Sequence, residues 1–179
     1  MALFNTFKKF GLLTRLFHWI TFILFVTQFF LVYRKDYFSE GAPEKLQYML
    51  LHKSIGIVLL AIAILFFLVH FIGSRPPFPR NMTNQEKLLA KFTHHVLWLS
   101  MFAMPVTGIA MSMYSGYGAS LFGLYQLPNL VSTNKELAGS LHQIHGWISY
   151  IVIGAVFLHV LGALIHHFIR KDDVLKKML

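Results

Sequence analysis

The stretch His145-Gly146-Trp147-Ile148-Ser149-Tyr150-Ile151-Val152-Ile153-Gly154-Ala155-Val156-Phe157-Leu158-His159 decides the fold. It lies inside a run, Leu137 to Ile169, that contains no Asp, Glu, Lys or Arg. A helix that crosses a bilayer needs about 20 mostly apolar residues, so the run is long enough for one span. Its two histidines are 14 residues apart. At about 3.6 residues per turn they share one face, about 40° apart, and lie about 21 Å from each other along the axis. Ionisable residues within a span are costly and usually face the bundle interior. The separation is far too long for two ligands of one metal ion. It suits two sites at two depths of one membrane.

Working outward, three further uncharged runs appear: Leu16 to Tyr33, Ser54 to Ser74, and Phe92 to Asn134. The last must be divided. Its first half, near Val96 to Tyr114, is a span. The second half carries Ser115-Gly116-Tyr117-Gly118 and Leu127-Pro128-Asn129 and reads as a loop. Arg75-Pro76-Pro77-Phe78-Pro79-Arg80 cannot be regular helix and connects two helical hairpins. The expected architecture is all-α, an integral membrane four-helix bundle, with spans near residues 12–33, 49–72, 92–114 and 141–169. The first segment is too long for the apolar core of a signal peptide and no small-residue cleavage site follows, so it is expected to be retained as a span.

Composition agrees. The 179 residues are 56% apolar and only 13% charged, against about a quarter charged in soluble chains. Cysteine is absent, which excludes disulfide frameworks, cysteine zinc sites, iron–sulfur clusters and covalently attached c-type haem. The formal charge is +9. Its distribution points to topology, not to nucleic acid, for which no role is expected. Lys8, Lys9 and Arg15 precede the first span. Arg75, Arg80, Lys87 and Lys91 lie in the second loop, and Arg170, Lys171, Lys176 and Lys177 in the tail. The first and third loops carry far fewer. By the positive-inside rule both termini are cytoplasmic, in a multi-pass membrane protein.

With that orientation the intramembrane histidines can be sorted by depth. His18 and His159 fall in the cytoplasmic half, His52 and His145 toward the outer side. Each pair joins different helices at similar depth, as axial ligation of a haem between helices requires. Two transverse pairs at two depths suggest a di-haem wire held between the helices. Gly56, Gly146 and Gly162 adjoin these positions and let a flat macrocycle approach the backbone. Arg15, one turn before His18, and Lys53, beside His52, are candidate partners for haem propionates. Alternatives remain at this level. His70 is 18 residues after His52 and shares its face, and His166 is two turns beyond His159; periodicity does not separate them. A His-lined transporter without haem is a further reading.

The ordered set Arg15-Leu16-Phe17-His18-Trp19, His52-Lys53-Ser54-Ile55-Gly56, Pro105-Val106-Thr107-Gly108, His145-Gly146-Trp147 with His159, and His166-His167-Phe168-Ile169-Arg170-Lys171-Asp172-Asp173 resembles the bacterial cytochrome b561 family over nearly the whole chain. The resemblance implies that His18 and His159 bind the inner haem, and His52 and His145 the outer one. It also implies a ubiquinone site around His166 and His167, and matches His94 to a family position. The free-standing four-helix members include superoxide oxidases. On that likeness the chain is expected to be an oxidoreductase that takes single electrons from superoxide at the periplasmic side and passes them to ubiquinone. Other relatives are haem-bearing anchor subunits, which relay electrons between a periplasmic dehydrogenase or hydrogenase and the quinone pool; a protein redox partner is the alternative expectation.

Overall fold

A computed structural model describes residues 2–179. The protein is mostly helical, a four-helix membrane bundle. The helices are α1 (Leu12–Lys35), α2 (Pro43–His70), α3 (Asn84–Tyr114) and α4 (Lys135–Leu164). A short antiparallel hairpin, β1 (Ser120–Leu121) and β2 (Tyr125–Gln126), lies between α3 and α4 in sequence. All four helices are long and apolar enough to cross a membrane. Large apolar side chains such as Ile23, Leu99 and Phe157 stand exposed on them, Leu99 at 71%. In water that surface would drive aggregation; here lipid covers it.

The helices begin earlier than the apolar runs do, and the reason is capping. At α3, Thr83 Oγ1 accepts from the Glu86 N–H at 3.2 Å while Glu86 Oε2 accepts from the Thr83 N–H at 2.8 Å. This capping box starts the helix eight residues before the apolar run. Asn134 Oδ1 accepts from the Leu137 N–H at 3.0 Å and starts α4 at Lys135. At α2, Pro43 opens the first turn and Glu44 follows it, both favourable at a helix N-terminus. At its other end α4 passes into a π-turn, Ile165–Ile169, closed by the Arg170 N–H on the Ile165 carbonyl at 3.0 Å.

The chain divides into two compact units. The first comprises residues 1–19, 64–100 and 149–179. Phe66 is buried there, 5.8 Å from the Phe17 ring and 4.9 Å from Trp98. Its N-terminal strand segment bridges Asn5 to Gly73. Gly73 has φ +87°, and a Cβ there would lie 2.6 Å from the Asn5 carbonyl oxygen, so only glycine fits.

The second unit comprises residues 20–63 and 101–148. Its core includes Leu31, Leu59 and Ala63. Ser54, fully buried, ties the hairpin to α2. Its Oγ accepts from the Phe122 N–H at 2.7 Å and lies 2.7 Å from the Leu50 carbonyl oxygen and 3.1 Å from that of Ser120.

Candidate functional site: two histidine pairs

In the second unit, α2 and α4 bring His52 and His145 together, ring centroids 6.3 Å apart and planes at 84°. Three neighbouring features shape this pair. Thr107 on α3 lies 3.0 Å from His145 Nδ1. The Thr107 hydroxyl is also 2.6 Å from the Ala103 carbonyl oxygen and 3.0 Å from that of Met104. Its proton therefore goes to its own helix, and its lone pair accepts from the His145 Nδ1–H. That assigns the tautomer and leaves Nε2 with a free lone pair, the arrangement of a metal-binding imidazole. Gly108, next in sequence, gives the ring its place: a Cβ there would stand 3.3 Å from His145 Cε1. On the His52 side, Gln28 Nε2 of α1 donates to the His52 carbonyl at 3.0 Å, while His52 Nδ1 is buried without a hydrogen-bond partner. Lys53 places its ammonium 5.6 Å from the centre of the exposed Tyr117 ring.

In the first unit, α1 and α4 bring His18 and His159 to 5.9 Å between centroids, planes tilted by 56°. His94 of α3 sets its ring edge-on to His159 at 5.0 Å, with Nδ1 donating to the Ala90 carbonyl at 2.6 Å. Trp19 stands at right angles to His18. Its indole N–H donates to the Met178 carbonyl at 3.1 Å, and the buried Arg15 guanidinium donates to the Leu179 carbonyl. Arg15 thus meets the C-terminal tail. His70, the competitor on the face of His52, instead lies on Trp98 at 4.9 Å and touches no histidine among the described residues. His95 donates to the Lys91 carbonyl, and His142 is exposed.

The π-turn produces a third arrangement in this first unit. His166 is buried, and its Nδ1 lies 2.6 Å from Asp172 Oδ2. The other carboxylate oxygen accepts from the Val174 N–H at 3.1 Å, and the Asp172 N–H returns to the His166 carbonyl. His167 Nδ1 is buried without a partner. Gln28 was not singled out by the sequence reading, and Thr107 and Asp172 stood only within quoted motifs, with no role assigned to them. The only available signals were weak: Gln28 is the sole amide in the first apolar run, and Thr107 follows the proline inside α3.

A haem ligated by two imidazoles separates their ring centres by about 6 Å, two metal–nitrogen bonds of about 2 Å plus the ring radii. Both pairs have that spacing. Cβ atoms built at Gly146 and Gly162 would meet nothing within 4 Å. No group of three or more His, Asp or Glu suited to a metal ion occurs among the described residues.

Comparison with known proteins gives the same direction. The family described as "Prokaryotic cytochrome b561" matches over residues 9–179, which includes all four paired histidines. "Cytochrome b561 homolog 2" of Escherichia coli (strain K12) is 32% identical, covering 100% of this chain and 95% of the relative. "Probable superoxide oxidase CybB" of Yersinia pestis is 30% identical over 96% of each chain. "Cytochrome b561 homolog 1" of Escherichia coli (strain K12) is 28% identical over 90% of this chain and 92% of the relative. The chain belongs to the prokaryotic cytochrome b561 family, multi-pass membrane proteins that bind b-type haem and carry electrons.

Proposed function

We propose that the chain binds two haems, His18 with His159 and His52 with His145, and oxidises superoxide at the outer face of an inner membrane while reducing ubiquinone. The observation that carries this reading is the pair of 5.9 and 6.3 Å imidazole spacings. The name of the Yersinia pestis relative supports the choice of superoxide. With both termini cytoplasmic, as the charge distribution implies, the His52–His145 pair is the outer one.

Haem, when bound, supplies the one-electron carrier. Two superoxide anions each give up one electron and leave as dioxygen. One quinone takes the two electrons and two protons to become quinol. The chain's own residues do the rest. His18 with His159, and His52 with His145, would each give a bound haem two imidazole ligands, so the sites would favour electron transfer over oxygen binding. The apolar helix walls exclude water and lower the local dielectric. Lys53 offers positive charge beside His52, for a propionate and for the incoming superoxide anion; Arg15 is the corresponding cation beside His18. At the cytoplasmic end, Asp172 holds the His166 ring by its Nδ1–H, which orients that imidazole to pass a proton to the reduced quinone.

Stopped-flow addition of superoxide to the oxidised, purified protein tests this. Haem absorbance should show rapid reduction, followed by reoxidation when ubiquinone is present. No reduction by superoxide, with reduction by a co-purified periplasmic dehydrogenase or hydrogenase, would instead establish the chain as an anchor subunit.

A further inference from the structure

Most of the histidines with a structural partner use Nδ1 in a recognisable way. His94 and His95 donate one turn back along α3, to Ala90 and Lys91. His145 donates to Thr107 and His166 to Asp172. His52 does not follow them. Its Nδ1 is buried, has no hydrogen-bond partner, and makes no bond to the Tyr48 carbonyl one turn back. A metal-binding imidazole nearly always donates its other ring N–H, so this orphan calls for an acceptor.

One stands opposite. Gln28 of α1 already touches the same residue, with its Nε2 donating to the His52 carbonyl at 3.0 Å. The other half of that amide, Oε1, is likewise buried and without a partner. An unpaired ring donor on His52 and an unpaired amide acceptor on Gln28 therefore belong to two residues already joined through the His52 backbone carbonyl. Gly56 makes the approach open. It lies one turn past His52, where a helical carbonyl points, and a Cβ there would be 3.4 Å from Gln28 Nε2. A Cβ at that distance would just touch the amide.

We propose that Gln28 is the positioning residue of His52. Its Oε1 accepts the His52 Nδ1–H while its Nε2 holds the backbone carbonyl of the same residue. This two-point grip fixes the ring's rotation and makes Nε2 the nitrogen that faces the iron. It is the counterpart of the Thr107 grip on His145, supplied from α1 instead of α3. The hydrogen bond makes the imidazole a stronger donor, which favours the ferric state and lowers the reduction potential of that haem. The proposal rests on reading His52 and His145 as ligands of one haem.

Redox titration of the detergent-purified holoprotein, followed in the haem α-band, reads the effect. Gln28→Leu should retain two haems per chain and raise the midpoint of one wave only, the same wave that Thr107→Val raises. A tenfold change in the one-electron equilibrium constant would move it by 59 mV. Gln28→Glu, which strengthens the acceptor, should move that wave the other way. If Gln28→Leu does not accumulate, Gln28→Asn, one methylene too short to hold both points, takes its place with the same expectation. In protein labelled with ¹⁵N-histidine, the His52 ring N–H should exchange slowly in the parent and fast in Gln28→Leu. Unchanged waves together with unchanged exchange would overturn the proposal, as would movement of the wave that Thr107→Val leaves alone. A His52→Ala protein that still holds two haems would overturn the ligand reading beneath it, and haem content tells that failure from the others.

Discussion

Thr107→Val removes one hydroxyl and keeps the shape of the side chain. In the parent, Thr107 Oγ1 accepts from the His145 Nδ1–H at 3.0 Å, and it can do so because its own proton is committed to the Ala103 and Met104 carbonyls. Valine fills the same volume, so no cavity opens and the packing of α3 is retained. What is lost is the acceptor of a half-buried ring N–H, which costs about 1–3 kcal/mol. Loss of the partner behind a metal-binding imidazole typically weakens metal affinity by about 10–100-fold, which is about 1.4–2.8 kcal/mol. The two routes agree, so of the two haems proposed, the one at His145 should leave about 10–100 times faster. The assay is haem transfer from the detergent-solubilised protein to excess apomyoglobin, which should show two phases, only one of them accelerated. Thr107→Ser keeps the hydroxyl and should restore the parent rate. Two phases identical to the parent's would refute the reasoning, because the Thr107–His145 bond would then do nothing for the ligand.

Other expectations follow from the same geometry. His52→Ala and His145→Ala should each remove one haem, the same one, and His18→Ala and His159→Ala the other, whereas His70→Ala, whose ring lies on Trp98, should keep both; pyridine haemochrome content decides. Asp172→Asn should leave both haems and their reduction by superoxide intact while slowing quinol formation by about 10²-fold, the lower end of general-acid contributions; a parent-like turnover would remove Asp172 and His166 from the proton route. Ser54→Ala leaves the Phe122 N–H and the Ser120 carbonyl without their buried partner. That should loosen the hairpin by about 1–3 kcal/mol, seen as amide exchange in residues 118–126 at least tenfold faster than in the parent.

The spans were legible because a bilayer dictates composition: Leu16 to Tyr33 has no charge, and nothing but a membrane or a very large core accommodates it. The helix starts were not legible from apolar runs, since Thr83, Glu86, Pro43 and Asn134 start helices with polar chemistry that looks like loop. Sorting histidines by depth named the neighbours found in space, His18 beside His159 and His52 beside His145. Helix phase alone could not separate His70 from His52, because they share a face; in the structure the His70 ring lies on Trp98. Thr107 and Gln28 escaped notice for a different reason. Threonine and glutamine are unremarkable in a span, and their meaning lies wholly in what they touch across a helix boundary. Asp172 depended on a π-turn, which no local sequence signal announced.

The two pairs differ in a way that bears on the direction of electron flow. Thr107 gives a ring nitrogen of His145 a hydrogen-bond partner, and the proposal above gives His52 one in Gln28, whereas His18 and His159 lie against other rings. Their company is aromatic: Trp19 against His18 and His94 edge-on to His159. Hydrogen-bonded imidazoles donate more strongly and stabilise ferric iron, so the haem between His52 and His145 should have the lower reduction potential. Electrons collected at that pair would then run downhill to the pair near His166 and its proton donor. The order can be read by redox titration of the His18→Ala and His52→Ala proteins, each left with one haem. The lower midpoint should belong to the protein that keeps His52 and His145. The reverse order would mean that hydrogen bonding does not set the gradient, and that burial or the charges of Lys53 and Arg15 outweigh it.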